Sequence, residues 1–128
     1  MEITSIQKNI HNSPRKIRLV VDMIRNMKPA TAVTQLQFTN KAAALPVAKA
    51  IKTVLGNAKE QKLDVNEMIF KTIEVNEGFK MKRFRAGTKG RSKPYVKRTS
   101  QLKIVLTNEV KEVKPVAKKE GDKAKKAE

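Results

Sequence analysis

The sequence predicts an α+β fold, with helices in the first half and a long β-hairpin in the second. Three observations predict it. Between Ser13 and Lys62 apolar residues recur at helical spacing. From Met68 to Thr107 the two ends of the segment show strand-like content instead, with Leu102, Ile104 and Leu106 alternating against Lys103 and Val105. Between those ends, Ala86-Gly87-Thr88-Lys89-Gly90 supplies two glycines that let a chain reverse direction.

Residues Ile3 to Ile10 mix β-branched and polar side chains, compatible with a short strand or an extended arm. Ser13-Pro14 then reads as a helix cap followed by the proline that helices accept at their first position. Ile17, Val20, Val21, Ile24 and Met27 form its inward stripe, with Asn26 as a left-handed cap and Pro29 blocking continuation. A second helix is expected over Thr31 to Phe38, with Ala32, Val33, Leu36 and Phe38 available to face inward. A third, capped by Thr39 or Asn40, should run from Lys41 to about Lys62 on a stripe of Ala44, Val47, Ala48, Ile51, Leu55 and Ala58. Pro46 conflicts with that start, so the helix either kinks there or begins later.

Met68 to Val75 and Gln101 to Thr107 are the inner strands of the hairpin, and the alternation in the first does not say which face is buried. A reversal centred on Thr88-Lys89 sets Phe70 near Thr107, Gly78 near Thr99 and Lys80 opposite Lys97. This register divides the hairpin into an apolar inner part that can join a sheet on the helices and a charged outer ribbon, residues 79–98. Two-stranded ribbons are marginal in water, and like charges directly opposite weaken them further.

The chain has 128 residues and a formal charge of +17 from 29 Lys and Arg against 12 acids. Self-repulsion of this size opposes compaction unless a polyanion neutralises it, so nucleic acid is the first partner to consider. No apolar run is long enough to span a bilayer, and no basic amphipathic helix carries a Trp or Phe face, so no membrane partner is expected. The amino terminus lacks a signal-peptide core, which predicts a protein that stays in the cytoplasm. With no cysteine and one histidine, neither a disulfide nor a multi-histidine metal site is expected, and no cofactor. Residues 1–108 read as one domain with the hairpin as its extension; 109–128 are lysine-rich, without aromatics, and read as a disordered tail. Without that tail the excess is still +15, from twenty-two basic residues and seven acidic ones.

The strongest functional signal is the stretch from Gly78 to Asn108, which has no acid. Ten cations fall between Lys80 and Lys103: Lys80, Lys82, Arg83, Arg85, Lys89, Arg91, Lys93, Lys97, Arg98 and Lys103. Phe79, Met81, Phe84, Tyr95 and Val96 are interleaved with them. Cations at this density neutralise phosphates, Phe84 and Tyr95 can stack on exposed bases, and Met81 or Val96 can pack on a sugar. Most charge runs are simply solvated, but a solvated ribbon would mix signs and expose fewer large apolar groups. Arg15, Lys16 and Arg18 at a helix start are less specific, since helices commonly carry cations on the wet face and these oppose the helix dipole; the charge of the whole protein favours phosphate contact over plain solvation for them too. For Lys41, Lys49, Lys52 and Lys59 the two readings stay open. His11 is expected to make a local polar contact. No Walker loop, dinucleotide fingerprint or nucleophile elbow occurs, so no catalytic role is assigned to any residue.

Ser13 to Lys28 (SPRKIRLVVDMIRNMK), Phe38 to Ile51 (FTNKAAALPVAKAI) and Met81 to Leu106 (MKRFRAGTKGRSKPYVKRTSQLKIVL) together resemble the bacterial large-subunit ribosomal protein L22 family, over about residues 3 to 108. The resemblance implies three helices packed on a small three-stranded antiparallel sheet, with a long basic hairpin extension. It implies that large-subunit ribosomal RNA, neighbouring ribosomal proteins and the nascent polypeptide are the partners, with no homo-oligomer. It implies a role in assembly of the subunit and a hairpin tip that borders the peptide exit tunnel. By position, Met81-Lys82-Arg83 and Gly87-Thr88-Lys89-Gly90-Arg91 match the distal hairpin, so tunnel lining falls on Arg83, Phe84, Arg85, Ala86, Gly87, Thr88, Lys89, Gly90 and Arg91. Lys97-Arg98-Thr99-Ser100 matches the return strand. Asn26, Pro46 and the tip Phe84-Arg85-Ala86-Gly87 depart from the family's usual residues.

Two other functions are open to a basic hairpin. An architectural DNA-binding protein wraps duplex DNA with basic β-arms, but Gly87 to Gly90 offers no apolar wedge of the kind such arms insert. An RNA-processing enzyme would need a catalytic group, and none is found.

Overall fold

In a computed structural model that describes residues 1–108, the chain forms β1 (Glu2–Ile10), α1 (Pro14–Ile24), α2 (Pro29–Phe38), α3 (Ala44–Glu60), β2 (Ile69–Ala86) and β3 (Ser92–Thr107), with a short 3-10 turn at Thr88–Gly90 between the last two. The tail expected at 109–128 lies outside the described residues. The strands make one antiparallel sheet in the order β1-β3-β2, with the helices on one face. This is the α+β architecture expected.

The sheet's helix-facing side is set by strand alternation. Ile3, Leu106 and Phe70 stand side by side, as do Ser5, Ile104 and Ile73, and Gln7, Leu102 and Val75. The face of β2 that alternation left undecided is therefore the one carrying Ile73 and Val75. These side chains meet Ile17, Val20, Val21 and Ile24 of α1 and Ala44, Val47, Ala50, Ile51, Val54 and Ala58 of α3 in one continuous core, joined by Ala32 and Leu36 of α2 and by Met68. Full burial of side chains such as Ile17, Ile51 and Leu102 is worth roughly 1.5–3 kcal/mol each, so this core carries the fold. On the opposite face Glu74 pairs with Lys103 at 3.9 Å, and Glu2 with Lys71.

Several expectations are corrected in detail. Ser13 sits at the cap position of α1, but its backbone carbonyl, not its hydroxyl, serves the first turn, accepting from the Lys16 and Ile17 N–H groups. Asn26 is not left-handed, since α1 ends through Arg25 in a right-handed conformation. Pro29 opens α2 as well as ending α1, so α2 starts two residues early. Met27 and Phe38 point to solvent, Phe38 being 81% exposed. Neither Thr39 nor Asn40 caps α3; the Thr39 hydroxyl donates back to Gln35 at 3.0 Å, and α3 starts at Ala44. That start puts Pro46 in the first turn, where no intrahelical bond is lost, and removes the conflict. Ala50 and Val54 are buried while Ala48 and Leu55 are only partly so, a stripe turned slightly from the expected one.

The hairpin register is also offset by bulges. Between Thr72 and Glu77 the pairing follows the expected sum, but irregularities flank that run on both sides. Phe70 consequently pairs with Leu106 rather than Thr107, and Lys80 with Arg98 rather than Lys97. The like-charge opposition at Lys80 survives with a different partner. A further irregularity between Gln7 and Ile10 in β1 is absorbed by Asn9, whose φ of 58° is a conformation asparagine tolerates.

The ribbon leaves the body at a neck. β1 ends where Ile10 pairs with Ser100, and beyond that point, among the described residues, β3 has only β2 beside it. At the same level Thr99 and Ser100 are buried, the Thr99 hydroxyl donates to the Phe79 carbonyl at 2.6 Å, and the Ser100 hydroxyl donates to the Asn12 carbonyl at 2.9 Å. Gly78 lies against this junction so closely that a Cβ there would stand 2.6 Å from Thr99 Oγ1 and 3.1 Å from the Ser100 nitrogen.

Two measurements check this account. Gly78→Ala should lower unfolding stability by about 1–3 kcal/mol through overpacking, whereas Gly56→Ala, in open space on α3, should raise it by about 0.5–1 kcal/mol; equal effects in denaturant titrations would contradict the neck packing. In the free protein, amide exchange across residues 79–98 should be fast and across Leu102 to Leu106 slow, because only the latter are central in a three-stranded sheet. Uniform protection would contradict it.

Candidate nucleic-acid interface

Alternation along the ribbon sorts its side chains onto two faces. Lys82 pairs with Val96, Phe84 with Pro94, and Ala86 with Ser92, so one face carries Phe84, Pro94 and Val96 beside Lys80, Lys82 and Arg98. The other carries Met81, Arg83, Arg85, Lys93, Tyr95 and Lys97. The second face is the more densely cationic. All of these cations are exposed, and with no acid on either strand beyond Glu77 their field is uncompensated along the ribbon.

Local contacts hold some of these groups in place. The Arg85 guanidinium lies over the Tyr95 ring, 5.6 Å from its centre, so cation and ring present a joint surface to a base or phosphate. Arg83 donates to the Lys82 carbonyl at 2.9 Å and to Met81 Sδ at 3.6 Å. Phe84 is 71% exposed and Phe79 is 70% exposed, a large apolar area to leave in water.

At the tip, Ala86 and Ser92 form the last pair. The Gly87 N–H donates to the Arg91 carbonyl at 2.7 Å, and the Arg91 N–H to the Thr88 carbonyl at 3.3 Å. Lys89 adopts φ 55° and Gly90 φ 70°, so the reversal centres on Lys89 and uses glycine where positive φ is required. Lys89 is exposed at the end of the arm.

The predicted α1 cluster divides. Arg15 and Lys16 are exposed on the first turn. Arg18 instead reaches the base of the hairpin, donating from Nη2 to the Val75 carbonyl at 3.1 Å. It therefore helps tie α1 to β2 and has only its remaining donors for another partner. The neck also holds Glu77, the last acid before the ribbon. Its carboxylate bonds Lys80 at 2.8 Å; that bond and the Lys80 charge, helped by Arg98 and Arg18, hold its pKa below the ordinary glutamate range. Glu77 offsets part of the positive charge where the strands enter the body. Lys41, Lys49, Lys52 and Lys59 are all exposed on the helical side. His11 is exposed beyond the end of β1 and makes no hydrogen bond among the described residues, so the expected local contact is not formed.

Sequence reasoning did not single out Pro94, which completes the apolar patch with Phe84, or Leu19, which is 71% exposed on α1. Leu19 falls outside the inward stripe of its helix, and that mismatch was a readable signal. Among the described residues no group of three or more His, Cys, Asp or Glu side chains could hold a metal ion, and no helix is long and apolar enough to cross a membrane.

Comparison with known proteins agrees with this geometry. Residues 5–107 match the family model described as ribosomal protein L22p/L17e. The chain is 39% identical over 114 residues to the large ribosomal subunit protein uL22 of Bifidobacterium longum (strain DJO10A), covering 84% of this chain and 96% of that one. It is also 39% identical over 116 residues to the protein of the same name from Staphylococcus aureus (strain JH9), covering 89% and 98%. A small α+β body bearing an acid-free cationic arm, and sequence similarity through nearly the whole of it, lead to one conclusion: the chain belongs to the ribosomal protein L22p/L17e family, whose members are structural and non-enzymatic components of the ribosome.

Proposed function

We propose that this ribosomal protein is a constituent of the large subunit that binds large-subunit ribosomal RNA through its hairpin and the start of α1, supports assembly, and borders the nascent-peptide exit tunnel with the hairpin tip. The observation that carries the reading is the ribbon itself: among the described residues, two strands with no third to support them, cations on both faces, and no acid past Glu77. Such an arm gains stability by embedding in a polyanion. The names of the relatives at 39% identity support placing it in the large subunit, and a cytoplasmic location is part of the same proposal.

In this proposal Lys80, Lys82, Arg83, Arg85, Lys89, Arg91, Lys93, Lys97 and Arg98 contact phosphates, Tyr95 stacks with Arg85 upon it, and Arg15, Lys16 and the spare donors of Arg18 extend the contact over the body. Residues 1–108 act as one RNA-binding domain, and the segment from Arg83 to Arg91 faces the path of the growing peptide. Neighbouring ribosomal proteins complete the surroundings; a single copy of the chain suffices.

Neutralising Arg83, Arg85, Arg91 and Lys93 to Gln should weaken binding to large-subunit RNA and reduce the slope of log affinity against log salt by about one for each phosphate that is no longer neutralised. An unchanged slope would place these side chains toward the tunnel lumen instead. At matched salt, the wild-type protein should prefer structured large-subunit RNA to duplex DNA; the reverse order would sink the ribosomal-RNA reading.

A further inference from the structure

The helical side of the body carries a second feature that the hairpin does not explain. A groove of about 340 Å³ lies between α1 and the 40–43 segment leading into α3. Its floor includes Val20 and Ala43, both part of the core, and one wall is built by Leu19 and Met23, which are 71% and 47% exposed. Those two residues are four apart and so stand together on one flank of α1. Lys16 and Lys41 line it with Asn40, and among the described residues no acid does. Neither lysine is ion-paired among the described residues.

The groove is held in shape by hydrogen bonds. The Asn12 amide donates to the Ala42 carbonyl at 3.5 Å, while the Asn12 carbonyl accepts from Ser100 at 2.9 Å, which ties the segment at 40–43 to the sheet. The Lys41 N–H donates to Thr39 and the Ala44 N–H to Lys41, at 2.8 and 2.9 Å, closing that segment into successive turns. Single exposed apolar residues need no explanation, but two of them walling a held, cation-rimmed concavity do.

We infer that this groove receives one unstacked nucleotide of the ribosomal RNA, its base lying on Leu19 and Met23 and its phosphates on Lys16 and Lys41. The inference rests on the RNA-binding function proposed above. Its volume is at the small end of the roughly 300–1,000 Å³ that single small ligands occupy, whereas a protein partner would need about 800 Å² of surface on this side. Unpaired cations with no acid in the lining favour a phosphate-bearing occupant over an acid-free apolar peptide. The Met23 thioether suits an aromatic ring, and the Asn40 side chain puts an amide at the rim, where a base edge would lie.

The test compares wild type with Leu19→Gln/Met23→Gln, which keeps helix-forming side chains on an exposed flank and removes the apolar wall. The double variant should melt at the wild-type temperature and bind large-subunit RNA about tenfold more weakly, since one base no longer stacks, with the salt slope unchanged because every phosphate-binding cation is still present. Ultraviolet crosslinking of the wild-type complex should give a nucleotide adduct on the peptide containing Leu19 and Met23. Wild-type affinity in the double variant, or absence of that adduct, overturns the inference, as does retained RNA affinity with loss of a neighbouring ribosomal protein from reconstituted particles. Failure of the wild-type protein itself to select the RNA would instead defeat the function proposed above.

Discussion

The arrangement depends on where β1 stops. A strand in the middle of a sheet has both sets of backbone groups paired; β3 enjoys this only as far as Ser100, where Ile10 ends the third strand. Everything inward of that pair is sheet, backed by Leu102, Ile104 and Leu106 against the helices. Everything outward is a ribbon with two wet faces. The buried polar pair Thr99 and Ser100 occupies the transition, and each of their hydroxyls is satisfied by a carbonyl from a different neighbouring segment, Phe79 and Asn12. Packed sheet and two-stranded ribbon are thus separated by a single cross-section of the hairpin.

Charge follows the same division. The sheet's outer face mixes signs, with Glu74 against Lys103 and Glu2 against Lys71, and exposed pairs of this kind contribute little to stability. They place acids among the cations of the body, where the ribbon has none. At the neck Glu77 meets Lys80, Arg98 and Arg18, and from there to Asn108 the chain has no further acid. Two strands crowded with like charge are marginal by themselves, so core packing explains the body's sequence and leaves the ribbon's unexplained.

Much of this division was legible from periodicity and composition. Helical spacing found the buried Ile17, Val20, Val21 and Ile24, and strand alternation found Leu102, Ile104 and Leu106, because both patterns record one wet side and one dry side. The inner and outer halves of the hairpin were also legible, since apolar content gives way abruptly to cations near Phe79. Register was not, because bulges near Lys71 and at Gly78-Phe79 leave no mark that distinguishes an inserted residue from a paired one. The start of α3 was legible only in part: Pro46 signalled a kink or a later start, but Lys41-Ala42-Ala43-Ala44 suits a helix throughout, and the tight turns over Thr39 to Ala44 that delay it leave no such mark. Arg18 shows the limit for site residues. Its charge signals an electron-rich partner, and a carbonyl of its own chain, that of Val75, meets the description as well as a phosphate does.

Asn12 joins the two halves of the molecule in a way that bears on aim. Its carbonyl takes the Ser100 hydroxyl at the root of the arm, and its amide reaches Ala42 in the helical layer. The arm projects about 25 Å at roughly 3.3 Å per residue, so a tilt of about 5° at the root would carry the end sideways by about 2 Å over that reach. A lever of this length magnifies small errors at its pivot. Whatever seats the helical layer therefore also points Lys89, which makes the short polar span through Asn12 a sighting device as much as a brace.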